Sequence, residues 1–200
     1  MKMLAVFLVS TMLGLVGCTK ASDKPGHGSA AATDHVEVLA RHLPAAGKED
    51  LASDPVVVRF EKFAVTKAHF DPRHLEGGTA TIELDLTSIK TGSEERDNDL
   101  KSPEYFDVAR FATVTIDVAD VKKQTDARYT AGATVSCHGV TKTYSVTFDV
   151  LATTADTVRI KGEHAFSRLD FAIGIDPATD PTERIDTALV IQWELTVANT

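Results

Sequence analysis

Few residues in this chain have the type and spacing that chemistry needs. There are two cysteines, Cys18 and Cys137, and only Cys18 sits in a context that points to covalent modification. His69 and His74 bracket Phe70-Asp71-Pro72-Arg73, but their i, i+5 spacing across Pro72 gives no helical i, i+4 pair and no third ligand lies near, so the pair reads as surface loop rather than metal site. Asp97-Asn98-Asp99 has the acidic start of a calcium loop without its glycine or its distal glutamate. Cys137 shares parity with Val135 and Ala133, which marks it as a small inward-facing hydrophobe. No nucleophile elbow, phosphate loop or HExxH motif occurs, and nothing composes a set of nucleophile, base and orienting group. The expectation is a protein that is not an enzyme, with no catalytic residues, no metal and no resident cofactor.

The context of Cys18 is a short basic start at Lys2, an apolar run from Leu4 to Val16, and Leu15-Val16-Gly17 directly before the thiol. The run is too short to span a bilayer as a helix, and the pattern is that of a secretory signal peptide. The cysteine after a small residue makes it resemble a bacterial lipoprotein signal, in which the thiol is acylated and becomes the new N-terminus. Residues 1–17 are therefore expected to be removed, Cys18 to carry the lipid, and the domain to lie in the periplasm of a bacterial cell envelope. Thr19, rather than aspartate, points to the outer membrane, by resemblance to lipoproteins generally.

The formal net charge of −8 becomes −9 once Lys2 is removed. Such acidity argues against nucleic acid as a partner, which needs clustered Lys and Arg, and against a polybasic membrane contact. With Cys18 acylated, Cys137 has no disulfide partner, so the fold depends on its core. Residues 18–35, rich in Lys, Ser, Gly and Ala, read as the lipidated N-terminus and a flexible linker. Residues 36–55, broken by Pro44 and Gly47, read as an irregular or single-strand lead-in, and residues 56–198 as one domain.

From Val56 onward the dominant signal is period two. Ala80, Ile82, Leu84 and Leu86 share one parity, as do Val114, Ile116 and Val118; Tyr144, Val146, Phe148 and Val150; Val158, Ile160 and Phe166; and Leu189, Ile191, Trp193, Leu195 and Val197. Alternation of this kind means strands with one dry face, and many such strands without helical patterns predict an all-β, antiparallel architecture. Runs of about ten residues rise ~33 Å, long enough to favour closure into a tall barrel. Ser102-Pro103-Glu104 has a helix-start signature and predicts a short helical turn over 103–107.

Residues 88–108 carry a further pattern. Ser88-Ile89-Lys90-Thr91-Gly92, Arg96-Asp97-Asn98-Asp99-Leu100-Lys101-Ser102 and Tyr105-Phe106-Asp107-Val108 resemble the signature of the YceI-like, polyisoprenoid-binding family. Gly139-Val140-Thr141-Lys142 and Arg168-Leu169-Asp170-Phe171 resemble two further motifs of that family, with Ala172 where the family has glycine. The resemblance implies a lipocalin-like barrel of eight strands holding an isoprenoid-type lipid, a quinone or a polyprenyl phosphate, non-covalently in an apolar lumen. The parity sets nominate Ile82, Leu84, Leu86, Phe106, Ile116, Val146, Phe148, Phe166, Phe171, Trp193 and Leu195 as its ligand-binding wall. Arg96, Asp97, Arg168 and Asp170 are expected to be structural. The competing expectation is an envelope stress or interaction protein whose barrel is only a scaffold. The sequence does not fix the oligomeric state, and a homodimer is one option.

Overall fold

The computed structural model describes residues 34–44 and 54–200, so Cys18, the signal peptide and most of the linker lie outside the described residues. Ten strands form one antiparallel sheet: β1 (His35–Ala40), β2 (Val56–Phe60), β3 (Phe63–Asp71), β4 (His74–Asp85), β5 (Ile89–Lys90), β6 (Thr113–Lys123), β7 (Arg128–Cys137), β8 (Val140–Thr153), β9 (Thr157–Ser167) and β10 (Ala188–Ala198). Their spatial order is β3-β4-β6-β7-β8-β9-β10-β1-β2-β5. The count exceeds the expected eight for a simple reason. β2 and β3 are two halves of one bent path, separated by Glu61 and Lys62, and β5 is only two residues long.

The bend is what rolls the sheet up, because β2 pairs with β1 while β3 pairs with β4. Ser88 pins it: its hydroxyl accepts from Lys62 N at 2.9 Å and donates to Asp85 O at 2.6 Å. On the other flank of β3, the last two residues of the chain supply the missing partners. Thr200 Oγ1 accepts from Ala68 N at 2.8 Å, and Asn199 accepts from Phe70 N and donates to Phe70 O, both at 2.9 Å. β1 lies between β10 and β2, so the barrel takes in residues assigned above to the lead-in. Asp34, at the end of the assigned linker, is held by Thr196, whose backbone N–H and hydroxyl both donate to its carboxylate.

The expected helical turn at 103–107 is present only as hydrogen-bonded turns over 103–106, with Tyr105 N donating to Ser102 O at 3.1 Å, and the regular helix α1 (Glu94–Lys101) comes earlier. Ser93 is its N-cap, accepting from Arg96 N, with Glu94, Glu95 and Asp97 in the first turn and Lys101 in the last. Ser102 ends this helix, with extended backbone before Pro103. Asp97 ties α1 to β5 from a buried position, accepting from Thr91 N at 2.7 Å and Thr91 Oγ1 at 2.8 Å, with Lys90 Nζ at 3.4 Å. Burial works against this carboxylate, yet those bonds from Thr91 and Lys90 hold it below its usual range.

Arg168, only 2% exposed, fixes the long connection before β10. Its guanidinium donates to the carbonyls of Ile173 at 2.8 Å, Ile175 at 2.7 Å, Ile185 at 2.9 Å and Asp186 at 3.1 Å, with Glu183 at 3.8 Å. Residues 173–186 have almost no regular structure, so this one side chain stands in for the ladder they lack. Ala172, which caps the preceding 3₁₀ turn Arg168–Phe171, lies in the left-handed region at φ 53°, a conformation that glycine adopts without strain.

Two stability outcomes follow. Arg168→Met should cost about 3 kcal/mol or more, since several buried carbonyls lose their donor at once; a urea titration showing less than about 1 kcal/mol would mean that water replaces the guanidinium. Ala172→Gly should stabilise by about 0.5–1 kcal/mol, the left-handed strain relieved less the added chain entropy of the unfolded state. A lowered melting temperature in Ala172→Gly would refute that.

Candidate functional site

Inward side chains of a small barrel either fill it or leave a lumen. Here they leave a cavity of about 480 Å³, within the range of known ligand sites. Size matching across neighbouring strands explains the space. Ala80 on β4 faces Val118 on β6, and Ala133 on β7 stands between Val118 and Tyr144. Ala40 and Gly78 also border the cavity. Larger side chains stand on β8, β9 and β10, so the wall is thin on one side and thick on the other.

The close approach of Trp193 to Gly162 keeps the lumen open. The two residues are paired across β10 and β9, and a Cβ built on Gly162 would lie 2.3 Å from Trp193 Cζ2. The indole therefore occupies the place of the missing side chain and lies flat along the wall.

Of the nominated residues, Ile82, Leu84, Phe106, Ile116, Val146, Phe148, Phe166, Phe171, Trp193 and Leu195 all border this one cavity. Leu86 does not. Asp85 accepts from Thr87 N at 2.8 Å and turns the chain out of β4 into a 3₁₀ turn, Leu86–Ser88, where Leu86 is wholly buried in side-chain packing. The alternation therefore stops at Leu84, and Leu86 is removed from the wall.

Sequence reasoning missed several wall residues. Val36 and Val38 of β1 and Val58 and Phe60 of β2 contribute; Cys137, read above as inward-facing, also borders the cavity. The signal for β1 was only a short alternation before Pro44. Burial pushes the Cys137 thiol up to about 12, so it is present as neutral SH. Also missed was His164, which shares the inward parity of Ile160 and Phe166 and borders the cavity beside Tyr144. The Tyr144 hydroxyl donates to Asp170 Oδ2 at 3.0 Å, and burial with that bond pushes its pKa up to about 12.

The two ends of the lumen differ. Leu75, Val121, Val158 and Val197, all buried, occupy the end reached by the β3–β4, β6–β7 and β8–β9 hairpins. The opposite end, under α1 and the 173–186 connection, has the polar lining: Arg41, His42, Ser93, Glu95, Arg96 and Asp99. The arrangement is an apolar sleeve with a charged mouth, suited to an amphiphile. Among the described residues no group of three His, Cys, Asp or Glu is placed to hold a metal ion.

Comparison with known proteins agrees with this architecture. BcnA of Burkholderia cenocepacia superposes with a TM-score of 0.71 at 19% identity, over 85% of this chain and 100% of that one. A polyisoprenoid binding domain from Saccharophagus degradans, implicated in plant cell wall breakdown, gives 0.62 at 16% identity, over 85% and 96%. A UPF0312 protein of Vibrio cholerae is 24% identical over 84 residues, which are 42% of this chain and 44% of that relative. This chain thus aligns with less than half the length of that curated relative. The model of the YceI-like domain matches residues 31–197, most of the chain and nearly all of the barrel described above, and the protein belongs to the YceI-like domain family.

Proposed function

We propose that this protein is a non-enzymatic carrier that holds an isoprenoid-type lipid, a quinone or a polyprenyl phosphate, with its tail in the barrel. The observation that carries this reading is the mostly apolar cavity of about 480 Å³ whose charged lining residues, Arg168 among them, gather toward the end under α1 and the 173–186 connection. A structural relative described as a polyisoprenoid binding domain supports the choice of ligand class. The energetics are adequate: two buried isoprene units, roughly ten carbon groups, supply about 8 kcal/mol, the scale of a micromolar Kd. The wall contributes hydrocarbon, and its buried thiol is held as neutral SH, which favours holding over reacting.

The same reading places the protein on a membrane of the bacterial envelope through acylated Cys18, with the barrel in the periplasm and the outer membrane as the expected destination. Support comes from the sequence alone, through the apolar run and the Leu15-Val16-Gly17-Cys18 box.

Trp193 is the only tryptophan of the chain and borders the lumen, so it reports on occupancy. A short-chain prenylated quinone is expected to quench its fluorescence saturably, with a micromolar Kd; unchanged emission from folded, delipidated protein at high quinone would refute lumen binding. For the anchor, Cys18→Ala should move the protein from the membrane fraction to the soluble contents of the envelope. A Cys18→Ala protein that stays wholly with the membrane would sink the acylation reading.

A further inference from the structure

His164 is an anomaly in the lumen wall. It lies on β9 between Gly162 and Phe166, paired with Ile191 of β10, and its ring centroid is 5.1 Å from that of Tyr144. Among the described residues its imidazole makes no hydrogen bond and no ion pair. Neither ring nitrogen is sealed from the open space it borders, since Arg159 Nε is the only buried side-chain nitrogen or oxygen there without a partner. A polar ring in an apolar sleeve, committed to no neighbour, has its hydrogen-bonding capacity left for whatever enters.

The surroundings decide what that is. Burial lowers the His164 pKa, so near neutral pH the ring is uncharged, with one nitrogen donating and the other accepting. Phe166 and Phe171 approach in an edge-on pair, and Tyr144 lies 6.3 Å from Phe171, so flat rings surround this level of the lumen. The nearby charges are already engaged. Asp170 accepts from Tyr144, and Arg168 is bonded to four carbonyls with Glu183 at 3.8 Å as its counter-charge. A phosphate at this depth would find no uncommitted cation and would be buried at an energetic cost. An uncharged oxygen on a flat head would instead find a donor and aromatic faces.

We propose that His164 is a specificity-determining residue of the lumen, hydrogen-bonding a carbonyl or hydroxyl oxygen on the uncharged ring head of the bound lipid. This assignment rests on the lipid-binding reading above and sharpens it, since it places the head group inside the sleeve rather than at the charged mouth.

Three probes of matched tail length test it: a prenylated benzoquinone, the corresponding prenyl phosphate, and an oxygen-free prenyl hydrocarbon. The quinone should bind wild-type protein most tightly, and its ring carbonyl stretch should shift to lower frequency on binding. His164→Phe should weaken the quinone roughly tenfold, the size of one hydrogen bond, and abolish the shift, leaving the hydrocarbon unaffected. His164→Gln should recover part of both. The carbonyl shift is read on the wild-type protein, so it remains decisive even where His164→Phe folds poorly. Hydrocarbon binding with an unshifted quinone carbonyl, or quinone affinity indifferent to His164→Phe, overturns the assignment while leaving lipid binding intact. So does a phosphate that binds tighter than the quinone and weakens in Arg96→Ala but not in His164→Phe. Failure of all three probes to bind overturns the lipid-binding reading and this assignment with it.

Discussion

A sheet of long, one-faced strands has two needs that no single strand can meet: its apolar face must leave water, and its edge strands must find partners for their backbone groups. Rolling into a barrel meets both, and in this molecule the roll depends on the chain crossing from one edge of the sheet to the other between β2 and β3. The Ser88 hydroxyl holds that crossing from both sides. The mouth, the lumen and the placement of α1 are all consequences of where this crossing occurs, because it sets which strands face one another across the interior.

Closure creates an interior but does not decide whether it is full. That depends on side-chain volume, and here alanines and glycines at Ala40, Gly78, Ala80, Ala133 and Gly162 leave space that Val, Leu and Phe would have taken. The stability lost by leaving apolar atoms without neighbours must be met elsewhere. The buried cluster around Leu84, Leu86 and Ile89, each 2% exposed or less, is one such place. Arg168 is another, where a single cation organises a stretch of chain that has no ladder of its own. Both dense regions lie toward the end that carries α1 and the 173–186 connection, which leaves the rest of the wall free to be thin.

Much of this was legible in the sequence because period two is a strong and local signal. β4, β6, β8, β9 and β10 announced both their existence and their dry faces. Errors arose where a local signature had a competitor or a tertiary cause. Ser102-Pro103-Glu104 reads as a helix start, yet Ser93 offers an N-cap with three acidic residues behind it, and the earlier cap prevails. Leu86 continues a perfect alternation, but Asp85 turns the chain out of the sheet one residue before it. β1 is short and flanked by Pro44, so its partners β10 and β2, not its own pattern, make it a strand. His164 was visible by parity alone; a polar residue on an apolar face is easily passed over when the search is for hydrocarbon.

The seam along β3 has a dynamic consequence. Most neighbouring strands share long runs of main-chain bonds, whereas the outer side of β3 is tied to Asn199 and Thr200 by four bonds, three of them through the side chains of those two residues. The lowest-energy openings of a folded protein follow its sparsest bonding. Amide hydrogens at Ala68 and Phe70 should therefore exchange sooner than those of β7 or β9. The barrel thus has a sparsely bonded longitudinal line as well as a mouth, and local opening along that line would expose its interior without global unfolding.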